Sequence, residues 1–152
     1  MRTTPLVCIC IPVYNGEDTI SETLDSLVVQ TYKNIIIKIF DNNSMDKTID
    51  IVGKYQEKYS NIYLIKHSKH IRGDYSWDRC IQGMEGDYGA IFHADDVYHP
   101  SIIKEQVKFL SSDTISAVSV AADLINEESQ HIGYAHLPRE LLNKECHSFN
   151  FT

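Results

Sequence analysis

The chain is predicted to be an α/β protein with a doubly wound, mostly parallel sheet flanked by helices. Three observations predict it. Short apolar runs alternate with segments of helical spacing along most of the length. The first run, Leu6 to Pro12, is almost wholly apolar, as in a strand buried on both faces. Three of the runs end in polar clusters, Tyr14-Asn15, Asp41-Asn42-Asn43 and Asp95-Asp96. Parallel strands bring such clusters to one rim, and in open α/β sheets that rim is where ligands bind.

Taken in order, the strand from Leu6 to Pro12 breaks at Pro12-Val13-Tyr14-Asn15-Gly16. Glu17 to about Tyr32 then carries Ile20, Leu24, Leu27 and Val28 at helical spacing, with Glu17 and Asp18 at the positive end of the helix dipole. Asn34 to Phe40 reads as a second strand, with three consecutive isoleucines. Ser44 is the expected N-cap of the next helix, whose inner side holds Ile49, Val52, Tyr55 and Tyr59. Ile62 to Ile65 is a third strand, and His67 to Asp74 a polar loop. Trp77, Cys80, Ile81 and Met84 recur at i, i+3, i+4 and i+7, which predicts a helix with that face buried. Tyr88 to Phe92 is a fourth strand, expected in the sheet centre. Pro100 suits the first turn of a helix to about Leu110, with Ile103, Val107 and Leu110 inward. Ile115 to Val120 is a predicted fifth strand. Leu124-Ile125 and His131 to Tyr134 form a hairpin around an acidic turn, and Pro138 to Cys146 a weak helix.

Composition narrows the function classes. At 152 residues, 43% hydrophobic and 23% charged, the chain has the size and balance of one globular domain. Residues 1–152 are expected to form a single domain. No apolar run approaches the ~20 residues of a membrane span. The start, Met1-Arg2-Thr3-Thr4-Pro5, lacks the apolar stretch of a signal peptide. A net charge of −7 argues against nucleic acid as a partner, because no basic patch is available to neutralise phosphates. The four cysteines include no CxxC pair, and Cys8 and Cys10 share one face of a strand as small core residues. The expected setting is reducing and cytoplasmic, with a peripheral place on the inner face of a membrane as an option.

The stretch from Gly86 to Asp96 carries the sharpest chemical signal. An apolar run stops at His93 and leads into adjacent carboxylates, Asp95 and Asp96. On an extended strand they would point to opposite faces, so convergence on one ligand needs a turn. Two carboxylates held close repel, and a divalent cation relieves that repulsion. The plainer alternative is that both acids cap the helix after Pro100 or solvate a loop. No GxGxxG follows the first strand and no GxxxxGK[ST] occurs anywhere, which disfavours a dinucleotide fold and excludes a P-loop. A nucleoside diphosphate bound here would be neutralised by a metal and not by a glycine-rich loop.

Four stretches carry a resemblance. Ile11-Pro12-Val13-Tyr14-Asn15-Gly16-Glu17, Phe40-Asp41-Asn42-Asn43-Ser44-Met45-Asp46-Lys47-Thr48, Ser76-Trp77-Asp78-Arg79, and Gly86-Asp87-Tyr88 through His93-Ala94-Asp95-Asp96 resemble family 2 glycosyltransferases of the GT-A fold. The motifs recur in that family's order and spacing over roughly residues 6 to 111. The resemblance implies transfer of a sugar from a nucleotide-sugar donor to a glycan or lipid-linked acceptor, usually with inversion. It also implies Mg²⁺ or Mn²⁺ on the diphosphate, and a UDP-sugar is the favoured donor.

Carried over residue by residue, it implies that Pro12 and Tyr14 line the base pocket, with Glu17 beside it. Asp41 would accept a hydrogen bond from the base, its alternative being a turn acid. Arg72 would sit near the base or diphosphate, its alternative being a solvated charge. Asp95 would be the metal-binding acid of the D-x-D signature and Asp96 its neighbour. His93 departs from the family, where an acid close to the ribose is common. A neutral His93 can still bond the ribose or weakly ligate a metal, its alternative being a satisfied loop histidine. The family's catalytic base lies beyond the nucleotide half, and of the acids after Leu110 only Asp123, placed after the predicted fifth strand, is a weak candidate. The chain stops at Thr152 without closing an element, so a segment cut before the acceptor-binding part is expected. Two other classes fit the same features: a nucleotide-sugar-binding domain without transfer, and a metal-dependent phosphohydrolase or phospho-receiver. A receiver carries its acid pair after the first strand and its phosphorylated acid after the third, where this chain has Tyr14-Asn15 and His67.

Overall fold

A computed structural model describes residues 4–112 and 114–135. It divides into two compact units, Met1–Glu105 and Gln106–Thr152. The first unit is built on four parallel strands, β1 (Val7–Val13), β2 (Ile35–Asp41), β3 (Ile62–Lys66) and β4 (Tyr88–Ile91). Their order in the sheet is β3-β2-β1-β4. Helix α1 (Ile20–Val28) follows β1, α2 (Thr48–Lys58) follows β2 and α3 (Gly73–Gln82) follows β3. Helix α4 (Ile102–Leu110) follows β4, with Ile103 and Val107 buried.

Right-handed crossovers decide which face each helix covers. The steps β1-α1-β2 and β2-α2-β3 move in the same direction, so α1 and α2 share one face. The step from β3 through α3 to β4 goes back past β1, which puts α3 on the other. Side-chain alternation agrees. Ile9, Ile11, Ile37 and Ile39 lie on the α1 and α2 side, and all are fully buried. Cys8, Cys10 and Phe40 point the opposite way and pack with Cys80 of α3. All three cysteines are free thiols in the core, as their strand and helix positions predict.

Several expectations change. The fourth strand lies at the edge of the described sheet and not in its centre, and its residues are only half-buried apart from an exposed Gly89. Its apolar run matched a central strand because Ala, Ile and Phe suit either place, and only pairing separates them. On α3 the buried residues are Ser76 and Cys80, while Trp77 and Ile81 are 43% and 57% exposed. Helix α1 is shorter than predicted, from Ile20 to Val28, so Glu17 and Asp18 precede it. Ser44 caps nothing: α2 starts at Thr48, whose amide is taken by the Asp46 carboxylate. Pro100 also stands ahead of its helix, and its carbonyl accepts the Thr31 amide.

In the second unit, β5 (Asp123–Ile125) and β6 (His131–Tyr134) form the predicted antiparallel hairpin. Its turn closes on Asn126, whose side-chain oxygen accepts the amides of Glu128 and Gln130. Residues 115–120 form no strand. Their alternation is compatible with one, but a strand exists only by pairing, and no described strand pairs with them. The helix predicted from Pro138 to Cys146 lies outside the described residues.

Candidate functional site

The strands run parallel, so their carboxyl ends share one rim. There β1 ends at Val13, level with Asp41 of β2, and Asp41 is level with Lys66 of β3. On the other side the β4 ladder stops at Cys10 paired with Ile91. Ile11, Pro12 and Val13 therefore have no ladder partner on that flank, a step of about 10 Å at 3.3 Å per residue. The chain turns from β1 towards β2 and β3 on one side and towards β4 on the other. That reversal point is the crevice where open sheets take ligands.

The loops of the rim are cross-linked. The Asn15 amide donates to Ser44 Oγ, and Asn15 Oδ1 accepts the Met45 amide. Gly16 N–H donates to Thr48 Oγ1, and Glu17 N–H to Asp46. Burial pushes the Asp46 carboxyl up, but bonds from the Thr48 hydroxyl and amide and from the Glu17 amide together hold it below its ordinary value. Asn15 and Asn43 both adopt positive φ, 50° and 67°, a conformation asparagine tolerates better than most residues.

Asn42, 3% exposed, ties the third loop to the second. Its amide group donates to Ile71 O at 2.7 Å and accepts from Ile71 N at 3.0 Å and Arg79 Nη1 at 3.1 Å. Its backbone carbonyl faces His70 Nδ1 at 3.3 Å. The His70 ring in turn lies 4.1 Å, centroid to centroid, from that of Tyr14.

At the end of β4, the His93 amide donates to the Tyr98 hydroxyl at 2.7 Å, and that hydroxyl lies 3.4 Å from Asp96 Oδ2. Burial pushes the Tyr98 phenol up, and although the His93 amide pulls it back, the Asp96 and Asp95 carboxylates add to the rise. The phenol stays protonated and can donate to Asp96. Its ring stacks on Phe92 at 4.0 Å, which fixes the turn carrying Asp95 and Asp96. Thr23 Oγ1 of α1 donates to the Asp96 carbonyl.

The predicted site residues fall as follows. Pro12, Tyr14 and Glu17 stand at the end of β1 and in the loop after it, Pro12 and Glu17 half-buried and Tyr14 46% exposed. Glu17 spends its carboxylate on the Lys47 amide. Asp41 is 1% exposed, and its carboxylate accepts the amides of Asn43 and Ser44 in its own turn. Arg72 is exposed at the start of α3. His93, Asp95 and Asp96 are exposed after β4, with the Trp77 ring edge-on to His93 at 5.3 Å. Asp123 opens β5 of the second unit, exposed and paired with Tyr134, and so begins a hairpin instead of following a fifth strand. His70 and Tyr98 lay in no motif, and Asn42 lay in one without being singled out from its neighbours. The one available signal was position: a polar or aromatic residue within a few places of a strand's carboxyl end.

Among the described residues no three His, Cys, Asp or Glu side chains gather into a metal cage. A cation here has one requirement, hard oxygen ligands exposed where a phosphate could complete the set. Asp95 meets it, being exposed and without a hydrogen bond among the described residues. Mg²⁺-type ions are commonly held by one or two carboxylates plus substrate phosphates. A separate cavity of about 330 Å³, lined by Leu27, Gln30, Lys33, Ile35 and Asn61 among others, opens at the opposite rim, far from these carboxylates.

A family model described as glycosyl transferase family 2 matches residues 8–151. This chain belongs to glycosyltransferase family 2. The family 2 chain is 34% identical over 144 residues to an uncharacterized glycosyltransferase of Rickettsia prowazekii, covering 93% of this chain and 44% of the relative. It is 36% identical over 111 residues to the UDP-Glc:alpha-D-GlcNAc-diphosphoundecaprenol beta-1,3-glucosyltransferase WfaP of Escherichia coli, covering 72% and 43%. The chain thus spans under half the length of these curated relatives. Among solved structures it superposes on a mannosyltransferase of Pyrobaculum calidifontis in complex with GDP-Man and Mn²⁺, at a TM-score of 0.69 and 22% identity over 75% of this chain and 34% of that one. It also superposes on S. aureus TarS in complex with UDP, at 0.65 and 20% over 79% and 41%. The fold is the GT-A type, an α/β sheet flanked by helices. No helix among the described residues is long and apolar enough to cross a membrane.

Proposed function

We propose that the family 2 chain is the nucleotide-sugar-binding part of an inverting, metal-assisted glycosyltransferase that moves a sugar to an acceptor hydroxyl in polysaccharide or cell-surface glycan synthesis. The observation that carries this reading is the rim itself. Tyr14, Asp41 and the Asp95-Asp96 turn stand at the ends of neighbouring strands, and Asp95 is exposed with no hydrogen bond among the described residues. Pro12 and Tyr14 would line the base pocket, with Glu17 bracing its wall through the Lys47 amide. Asp41 would accept a hydrogen bond from the base. Arg72 would lie near the base or diphosphate, and His93 near the ribose. Asp95 and Asp96 would hold Mg²⁺ or Mn²⁺, and the bound ion would supply positive charge to the leaving diphosphate. The Tyr98 clamp holds the turn so that both acids stay on the rim.

The donor is proposed to be a UDP-sugar or a related nucleotide sugar. The E. coli relative's name specifies a UDP-Glc donor and a lipid-diphosphate acceptor, which supports a UDP-sugar and a lipid-linked or glycan acceptor here. Free thiols at Cys8, Cys10 and Cys80 suit a reducing, cytoplasmic location, with the acceptor met at the membrane's inner face. The catalytic base is proposed to lie outside this chain, with Asp123 a weak candidate within it.

A thermal-shift panel of UDP, GDP, dTDP and CDP with and without Mn²⁺ tests the reading. A ligand at 100 times its dissociation constant stabilises by about 2.7 kcal/mol. A metal-dependent shift with UDP or a related diphosphate is expected, and Asp95→Ala should abolish it. Silence from every nucleotide would sink the assignment. A shift that needs no metal and survives Asp95→Ala would overturn the metal role alone.

A further inference from the structure

We infer that a buried polar stripe along α1 is the frame of the metal turn, and that Thr23, Ser26 and Gln30 are positioning residues for the cation. The inference rests on the metal-assisted reading above and deepens it. Thr23 and Ser26 are three residues apart on α1, and Gln30 follows four later, just past the helix end, so all three share one side. All are buried, on a flank where a core-facing helix ordinarily carries apolar residues.

Each one holds the backbone of the segment that carries Asp95 and Asp96. Thr23 Oγ1 donates to the Asp96 carbonyl at 2.9 Å. The Tyr98 amide donates to Ser26 Oγ at 3.1 Å, and Gln30 Nε2 donates to the His99 carbonyl at 2.9 Å. One residue on, the Thr31 amide donates to the Pro100 carbonyl at 2.8 Å. Thr23, Ser26, Gln30 and Thr31 thus meet Asp96, Tyr98, His99 and Pro100 in chain order.

The protons are spent in a way that makes the match specific. The Ser26 hydroxyl gives its own proton to the Thr23 carbonyl at 2.7 Å, which leaves its oxygen to accept from Tyr98. Gln30 Nε2 spends its two protons on the Ser26 and His99 carbonyls. Its Oε1 is left buried with no hydrogen bond among the described residues. An acceptor buried unpaired costs stability, and leucine or methionine would fill the space without that cost. Packing alone does not account for the glutamine, whereas a grip on the His99 carbonyl does.

The consequence is a turn built before any cation arrives. Adjacent carboxylates repel, and the frame holds their backbone in place against that repulsion. A cation held by one or two carboxylates plus phosphate oxygens binds more tightly when those carboxylates need no ordering. Groups that orient ligands in this way typically change metal affinity by about 10- to 100-fold.

Titration calorimetry of Mn²⁺ into the 152-residue chain with saturating UDP, and hydrogen exchange of the metal-free chain, test the inference. Without metal, the Tyr98 amide should be protected from exchange in the unaltered chain and lose that protection in Ser26→Ala. Thr23→Val keeps the shape and removes the hydroxyl, so Mn²⁺ should weaken about 10-fold, and Ser26→Ala should act alike. Thr23→Ser retains the hydroxyl and should hold Mn²⁺ as the unaltered chain does. Gly83→Ala crowds Phe40 on the other face of the sheet; it controls for lost stability and should leave Mn²⁺ affinity in place. Full Mn²⁺ affinity in Thr23→Val and Ser26→Ala would overturn the inference, as would an equal loss in Gly83→Ala. Rapid exchange of the Tyr98 amide in the metal-free unaltered chain would overturn it as well, because the turn would not be prebuilt. UDP binding that ignores Mn²⁺ in the unaltered chain would remove the metal role and the inference together. If UDP does not bind at all, the nucleotide-sugar reading falls with them.

Discussion

Asn42 meets the Ile71 backbone and the Arg79 guanidinium with one side chain and contacts Val13 and His70 through its own backbone. Asn42→Ala would leave the Ile71 N–H and C=O unpaired where water has little access, and buried unpaired groups cost ~1–3 kcal/mol. A loss of about 3 kcal/mol is expected, read as a lower urea midpoint at unchanged slope. Nothing in the stretch Asp41-Asn42-Asn43-Ser44 ranks Asn42 above Asn43, because both suit a turn and only the third loop's approach separates them. His67 is a second residue whose role the fold decides. Burial lowers its pKa, the Arg79 charge lowers it further, and Asp41 opposes both. Its Nε2 is buried with no partner. A histidine pKa lowered on folding means that the unfolded chain binds more protons at acid pH. The stability tied to His67 is thus complete above the ordinary value near 6.5 and is lost as pH falls through the lower folded value. Melting temperature measured from pH 8 downward should drop across that window, and His67→Phe, which keeps a ring beside Phe40, should flatten the slope.

Helix α3 is the element whose reading from sequence failed in part. Trp77, Cys80, Ile81 and Met84 recur at a good helical period, yet the buried face runs through Ser76 and Cys80. The cause is close approach. Small residues let α3 lie tight on β1 and β2, where Cys8, Cys10 and Phe40 meet it. The large residues are carried round to the outer side, where Trp77 reaches His93. Gly83, at the end of the helix, takes this furthest: a Cβ there would collide with Cζ of the buried Phe40 ring. Gly83→Ala is expected to destabilise by about 1–3 kcal/mol through overpacking, visible as a lower melting temperature, with nucleotide affinity little changed once the chain is folded. The strands β1 and β2 were legible nearly to the residue because isoleucine-rich runs buried on both faces have few other places to go, and the apolar run of edge strand β3 was as clear although only Ile62 is buried. The extent of β4 was legible too, but its place at the sheet edge and the absence of a strand at 115–120 were not, since composition does not reveal whether a partner lies alongside.

For the molecule as a whole, the amino-acid order by itself determined the α/β class, the alternation that makes the sheet parallel, and the motif order that marks family 2. These are local or near-local properties: apolar period, turn residues, and a cluster of polar groups after each strand. Parallel topology then carried Tyr14, Asp41 and the Asp95-Asp96 turn to one rim without any long-range detail being known. The tertiary structure decided what each group at that rim is free to do. It buried the Asp41 carboxylate in its own turn, left Asp95 exposed without a hydrogen bond among the described residues, clamped Asp96 with Tyr98, and leaned His70 on Tyr14. Availability for a ligand depends on which neighbour takes a lone pair or proton first. For Asp41 and Asp96 the neighbour lies two or three residues away in the same turn, whereas His70 reaches Tyr14 from a distant loop, a pairing that no local pattern encodes.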